Sequence, residues 1–254
     1  MENVGSFALL LALALAAYSL GASAIGAWAK RPVLVKSAQR ATMAMWFFVT
    51  LGIFSLFYLL MTDQFRMAYV AAHSNRDLPI FYKATSLWAG QEGSLLLWSW
   101  ILSTYAMLIV VLHRNPTPGV KPLMPWVNAV MMGSQCFFLW LNTIVASPFH
   151  LLLATGEGAV NMAVPDGKGL NPLLQHPSMV IHPPILYIGY VGFAVPFAFA
   201  AATLIVKPRG EEWIHVTRKW TMVTWLFLGT GILLGARWAY AVLGWGGYWG
   251  WEKV

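Results

Sequence analysis

Two stretches of this sequence carry the residue types that could do chemistry. His182 sits in MVIHPPILYIGY, where two prolines follow it directly. Prolines there are expected to deny a starting helix its first N–H groups and to hold the imidazole at the helix mouth. The run Trp238 to Val254, WAYAVLGWGGYWGWEKV, holds four of the fourteen tryptophans, with Gly244, Gly246, Gly247 and Gly250 set between them. Glycine permits close backbone approach and indole offers a large apolar face, so such a tract suits a platform for a flat apolar ligand. An imidazole beside that platform suits a haem. His182 would be the axial iron ligand, and Trp238, Trp245, Gly246, Gly247, Trp249 and Trp251 the cradle. Each half also has a plainer reading. A histidine at a membrane surface is commonly just a hydrogen-bonded interfacial residue. Tryptophan is enriched in interfacial belts. A belt accounts for Trp238 better than for Trp245, Trp249 and Trp251, which run on past the last apolar span.

The remaining candidates have less around them. His73 and His150 are possible second ligands without a surrounding pattern, and His176 reads as support for the loop before His182. His113 and His215 have basic neighbours, which favours a solvated or headgroup role. Glu92, in SLWAGQEGSLLLW, is a carboxylate at the entrance of an apolar span, within sequence reach of Lys83, Arg76 or Arg237 as ion-pair partners. The single cysteine, Cys136, excludes a disulfide framework or a CxxC pattern and reads as a buried inert thiol. Paired carboxylates, a nucleophile elbow, a phosphate loop and HExxH are all missing, so hydrolase and kinase chemistry have no support.

The elements that must position these residues are membrane helices. The chain has 254 residues, 59% of them hydrophobic and only 10% charged. A soluble domain carries about a quarter charged residues. The expected fold is an all-α, polytopic bundle of six spans at about 4–29, 41–61, 93–112, 122–149, 183–206 and 220–236, followed by the tryptophan-rich segment 238–254. The first span lacks a basic flank before it and is expected to be retained rather than cleaved as a signal peptide. Pro196 is expected to kink the fifth span.

The net charge of +7 needs no nucleic acid. Ten of the sixteen Lys and Arg residues fall in the three short connections after spans one, three and five. The positive-inside rule then puts the N-terminus, both long connections and the tryptophan tail outside the cytoplasm. His182 and the tail thus share one face, with spans five and six adjacent.

Three stretches carry a family resemblance: FYKATSLWAGQEGSLLLWSW, LNPLLQHPSMVIHPPILYIGYVGFAVPFAFA and WAYAVLGWGGYWGWE. They resemble the N-terminal portion of the CcmF and NrfE family of cytochrome c maturation proteins, the last being similar to the tryptophan-rich WWD signature of haem-handling membrane proteins. The resemblance implies a subunit of a cytochrome c haem lyase in the bacterial inner membrane. Such a subunit would take haem from the chaperone CcmE, hold it on the periplasmic side and attach it to apocytochrome c, beside a CcmH-type thioredoxin-like subunit. It also implies that His182 matches the external haem-ligating histidine, and Trp245, Gly246, Gly247, Trp249 and Trp251 the cradle. A second external histidine, and two membrane histidines for a structural haem b, have no counterpart to assign.

The family pattern continues from its last tryptophan with Asp-Pro-Val-Glu-Asn. This sequence reads Trp251-Glu252-Lys253-Val254. Three readings of that ending are open: a split-gene half with a separate chain supplying the further spans, a truncated gene product, or an incomplete sequence. This chain alone is expected to bind haem weakly or not at all and to complete no attachment. Two other readings stay open. One is a haem or solute transporter, which would call for polar residues at mid-depth and an inverted repeat. The other is a non-catalytic scaffold of a maturation complex.

Overall fold

The computed structural model describes residues 2–152, 164–208 and 210–242. The described residues are organised around α-helices: α1 (Glu2–Trp28), α2 (Pro32–Met61), α3 (Ala68–His73), α4 (Ile80–Thr85), α5 (Gln91–Leu112), α6 (Met124–Trp140), α7 (Pro177–Gly192), α8 (Ala194–Val206) and α9 (Glu212–Val242). Among the described residues, five helical segments are long and apolar enough to cross a membrane: Asn3–Trp28, Pro32–Met61, Gln91–Leu112, Pro177–Val206 and Glu212–Val242. The protein is a multi-pass, all-α membrane bundle. Over 122–149, where a fourth span is expected, the structure has the 17 residues of α6 followed by a π turn at Leu141–Val145, and α6 is not among those five segments.

Several helices begin before the apolar run that announces them. A helix satisfies its own backbone hydrogen bonds, so it can continue beyond the hydrocarbon, whereas hydropathy marks only the immersed part. Thus α2 starts at Pro32, with Arg31 as its N-cap residue, and carries Lys36 and Arg40 on its first turns rather than in a loop. Likewise α9 starts at Glu212 and runs to Val242, eight residues earlier and six later than the expected 220–236, and carries Arg218 and Lys219. The expected kink is present as a break at Phe193 between α7 and α8. Proline at position 196 has no N–H for the Gly192 carbonyl four residues back.

Lipid tails are as apolar as leucine, so hydrophobicity cannot hold these helices together, and packing and interhelical hydrogen bonds must. On α2 and α5 the indole N–H of Trp46 donates to Thr104 Oγ1, and that of Trp100 to Thr50 Oγ1, each at 3.1 Å. One face of α6, continued into its π turn, presents Asn128, Gln135 and Asn142 at intervals of two turns, all buried at 4% exposure or less. Asn128 Nδ2 donates to Ser19 Oγ at 3.0 Å and Ser23 Oγ at 2.8 Å on α1, while Thr42 Oγ1 on α2 donates to Asn128 Oδ1 at 3.0 Å. Asn142 Nδ2 donates to Ser99 Oγ on α5 at 2.8 Å. Gln135, between them, finds no partner for either amide atom among the described residues.

The two long connections meet at one end of the bundle. Ala68 N donates to the His150 carbonyl at 2.9 Å, Leu152 N to that of Arg66 at 2.8 Å, and Lys168 N to that of Ala71 at 2.7 Å. Lys83 there pairs with Asp63 at 2.7 Å, not with Glu92, and Glu92 makes no ion pair among the described residues. Tyr69 is the hub of this layer. Its hydroxyl donates to the carbonyls of Ser86 at 2.8 Å and Leu87 at 3.1 Å, and accepts from Gly90 N at 3.1 Å. Burial raises the pKa of the Tyr69 phenol well above its ordinary value, which keeps the proton the donor role needs.

The three amides of α6 are expected to behave differently on removal. Asn128→Ala should destabilise the bundle by about 1–2 kcal/mol through its lost interhelical bonds. Gln135→Leu should be neutral or stabilising, because it removes a buried amide that has no partner. Denaturant unfolding in detergent, followed by circular dichroism, checks the contrast.

Candidate functional site

The helix that carries His182 starts earlier than its sequence suggests. α7 begins at Pro177, which takes the first helical position, while the His176 side chain caps it by accepting from Ser178 N at 3.1 Å. His182 therefore sits inside the helix, in its second turn, rather than at its mouth. Pro183 and Pro184 lie in the helix interior and do not open it. Interior prolines leave carbonyls without donors. The carbonyl orphaned by Pro183 is that of Met179, and the indole N–H of Trp88 donates to it at 2.9 Å. Trp88 belongs to the SLWAG segment before α5, so this bond ties the long connection to the helix of His182.

α7 and α9 approach through small residues. A Cβ on Gly189 would run into the Leu228 backbone, and one on Gly231 would fall 2.6 Å from Leu186 Cα. Gly231 and Gly235 form a GxxxG pair, a spacing that favours close helix contact in membranes. A Cβ on Gly235 would fall 2.5 Å from His182 Cε1. The imidazole thus lies flat against the bare backbone of α9. One consequence follows for its protons. His182 Nδ1 is 2.8 Å from the Gly231 carbonyl oxygen. A carbonyl only accepts, so Nδ1 carries the proton and Nε2 keeps its lone pair.

Trp238 lies two turns beyond Gly231 on the same helix. Its ring centroid is 5.8 Å from that of His182, with the planes at 56°. Sequence reading placed Trp238 at the start of a glycine-flexible tract; the structure places it within the last turns of α9. No glycine or proline falls between Gly235 and Val242 to interrupt helical hydrogen bonding there. Trp238 Nε1 is buried and has no partner among the described residues. Trp245, Gly246, Gly247, Trp249 and Trp251 lie outside the described residues.

The other histidines are not brought to this pair by any contact. His73 donates from Nδ1 to the Tyr69 carbonyl at 2.9 Å and packs on Gly90, whose Cβ would fall 2.5 Å from His73 Nε2. No cluster of three or more His, Cys, Asp or Glu side chains that could hold a metal occurs among the described residues. An imidazole fixed by a backbone carbonyl, with its second nitrogen unengaged and an indole beside it, suits a ligand to a metal that brings most of its own coordination, as a porphyrin does.

A family model described as cytochrome c assembly protein matches residues 88–254, a stretch that takes in Trp88, His182, Gly231, Gly235 and Trp238. The chain belongs to the cytochrome c assembly protein family. It is similar to the cytochrome c-type biogenesis protein CcmF of Pseudomonas aeruginosa, 40% identical over 254 residues that cover 100% of this chain and 37% of the relative. It is also similar to the biogenesis protein NrfE of Haemophilus influenzae, at 37% identity over 255 residues, covering 38% of that protein. Among solved structures it is similar to the cytochrome c heme lyase CcmF, with a TM-score of 0.81 and 29% identity over 99% of this chain and 38% of the other. This chain thus spans little more than a third of the length of the relatives it matches.

Two residues that support His182 are not among the candidates named from the sequence. One is Gly235, whose signal was the GxxxG spacing in GILLG; the other is Trp88, whose partner is non-local. Gly235→Ala should displace the imidazole and break its bond to Gly231, and 15N shifts of labelled histidine should then lose the Nδ1-protonated signature of the wild type. Trp88→Phe should cost about 1 kcal/mol, because the Met179 carbonyl loses its donor, and the loss is read from the unfolding midpoint.

Proposed function

We propose that this chain handles haem for attachment to apocytochrome c and ligates the iron through His182 Nε2. One observation carries the reading: Nδ1–H is committed to the Gly231 carbonyl, so Nε2 is the lone-pair nitrogen, the arrangement typical of metal-bound histidines. Membership of the cytochrome c assembly family supports the reaction, and the similar protein of solved structure is a cytochrome c heme lyase. Haem is cargo here. It brings an iron with axial positions and vinyl groups across which cysteine thiols add, sulfur to one carbon and hydrogen to the other.

The protein's part is to hold and orient. His182 sets one axial direction, held by Gly231 and the flat surface at Gly235. Trp238 covers one side with apolar surface, and Trp245, Gly246, Gly247, Trp249 and Trp251 extend the cradle. Six spans set the topology, with α6 and its π turn crossing as the fourth. The basic connections, through the positive-inside rule, support a periplasmic position for the end bearing His182 in the bacterial inner membrane. The expected partners are the haem chaperone CcmE as donor, a CcmH-type thioredoxin-like subunit and the apocytochrome as acceptor.

The test is the absorption spectrum and pyridine haemochrome of the detergent-purified chain, expressed with the haem chaperone. Wild type should retain a substoichiometric Soret band, and His182→Ala should lower it at least about tenfold. Equal haem in both would remove His182 from the site.

A further inference from the structure

At the end of the bundle opposite His182, a groove of about 500 Å³ runs between the C-terminus of α5 and the first three turns of α9. Its walls divide by chemistry. His113, His215 and Lys219 line it, and so do Val216, Trp220 and Val223. On α9 these residues recur at helical spacing and grade across one stripe, from His215 and Lys219 along one edge to Val216, Trp220 and Val223 along the other. No carboxylate among the described residues lines the groove. Glu212, in the same first turn, is engaged elsewhere, accepting from Thr117 Oγ1 at 2.6 Å and Gly119 N at 3.3 Å. Trp220 is braced from α5 by Tyr105, edge to face with ring centroids 5.9 Å apart. His113 commits Nδ1 to the Ile109 carbonyl at 3.1 Å, which leaves Nε2 as its unengaged nitrogen.

We propose that this groove binds one anionic phospholipid, with the headgroup phosphate among His113, His215 and Lys219 and an acyl chain along Val216, Trp220 and Val223. Charge complementarity selects the occupant. A zwitterionic headgroup brings a cation into a groove whose titratable lining is entirely basic, whereas an anionic one brings only the phosphate. The graded lining matches an amphiphile, since a soluble anion would leave the valine and tryptophan half unused. The site is separate from the haem reading and stands without it.

The test is native mass spectrometry of the detergent-purified chain with added phosphatidylglycerol or phosphatidylcholine, alongside the unfolding midpoint. Phosphatidylglycerol should persist as a one-to-one adduct and raise the midpoint, and phosphatidylcholine should do neither. His215→Gln with Lys219→Gln should weaken adduct retention about tenfold or more. Lys219→Arg should keep it, which separates loss of charge from loss of folding. Lys36→Gln with Arg40→Gln, two exposed basic residues at the same end on α2, should also leave the adduct intact. Equal retention of phosphatidylcholine would overturn the proposal, as would an equal loss in the Lys36 and Arg40 variant. Displacement of the lipid by inorganic phosphate would overturn it too, by assigning the groove to a soluble anion.

Discussion

An imidazole on one membrane helix can reach a main-chain carbonyl on the next only where the side chains between them shrink to hydrogen. That constraint governs the pairing of α7 with α9. Gly189, Gly231 and Gly235 remove the Cβ atoms that would otherwise hold the backbones apart, and His182 fills the space so made. In a bilayer, close packing of this kind also supplies the association energy that hydrophobicity cannot. The same glycines therefore hold the helices together and select the tautomer of the histidine. A bulkier pair of faces would leave the imidazole free to rotate, with neither nitrogen assigned.

The hydrocarbon also penalises every unpaired backbone group, and α7 incurs such a penalty at Pro183. Its solution is non-local: the donor for the Met179 carbonyl is an indole from the connection before α5. The long connections are thereby part of the architecture of the site. Tyr69 gathers the SLWAG turn, the turn delivers Trp88, and Trp88 completes the helix that carries His182. The buried amides of α6 do comparable work between α1, α2 and α5, with hydrogen-bonding groups in place of small residues.

The two ends of the bundle have different chemistry. One gathers the long connections, His182 and Trp238 around aromatic and glycine surfaces. The other gathers most of the basic residues, which lie on helix ends as much as in loops, as Lys36, Arg40 and Lys219 show. Placing lysine on a helix turn beside apolar residues makes a groove with a graded wall, which the same charge on a loose loop would not.

Composition alone determined that the chain is a helical membrane bundle, because an apolar run too long for a soluble core can satisfy its backbone in lipid only as a helix. Apolar runs and helices coincide to within a turn in α1 and α5. Their starts were not legible in α2, α7 and α9, where helices continue into water at no hydropathic signal. His182 and Trp238 were legible as candidates from residue type, and their common face from the alternation of spans. Tertiary structure alone decided that His182 lies within α7, which of its nitrogens is free, and that Trp88 and Gly235 position it. The reason is physical. The cost of immersion is a sum over local residues, whereas a hydrogen bond to a bare carbonyl depends on two distant segments meeting at one distance.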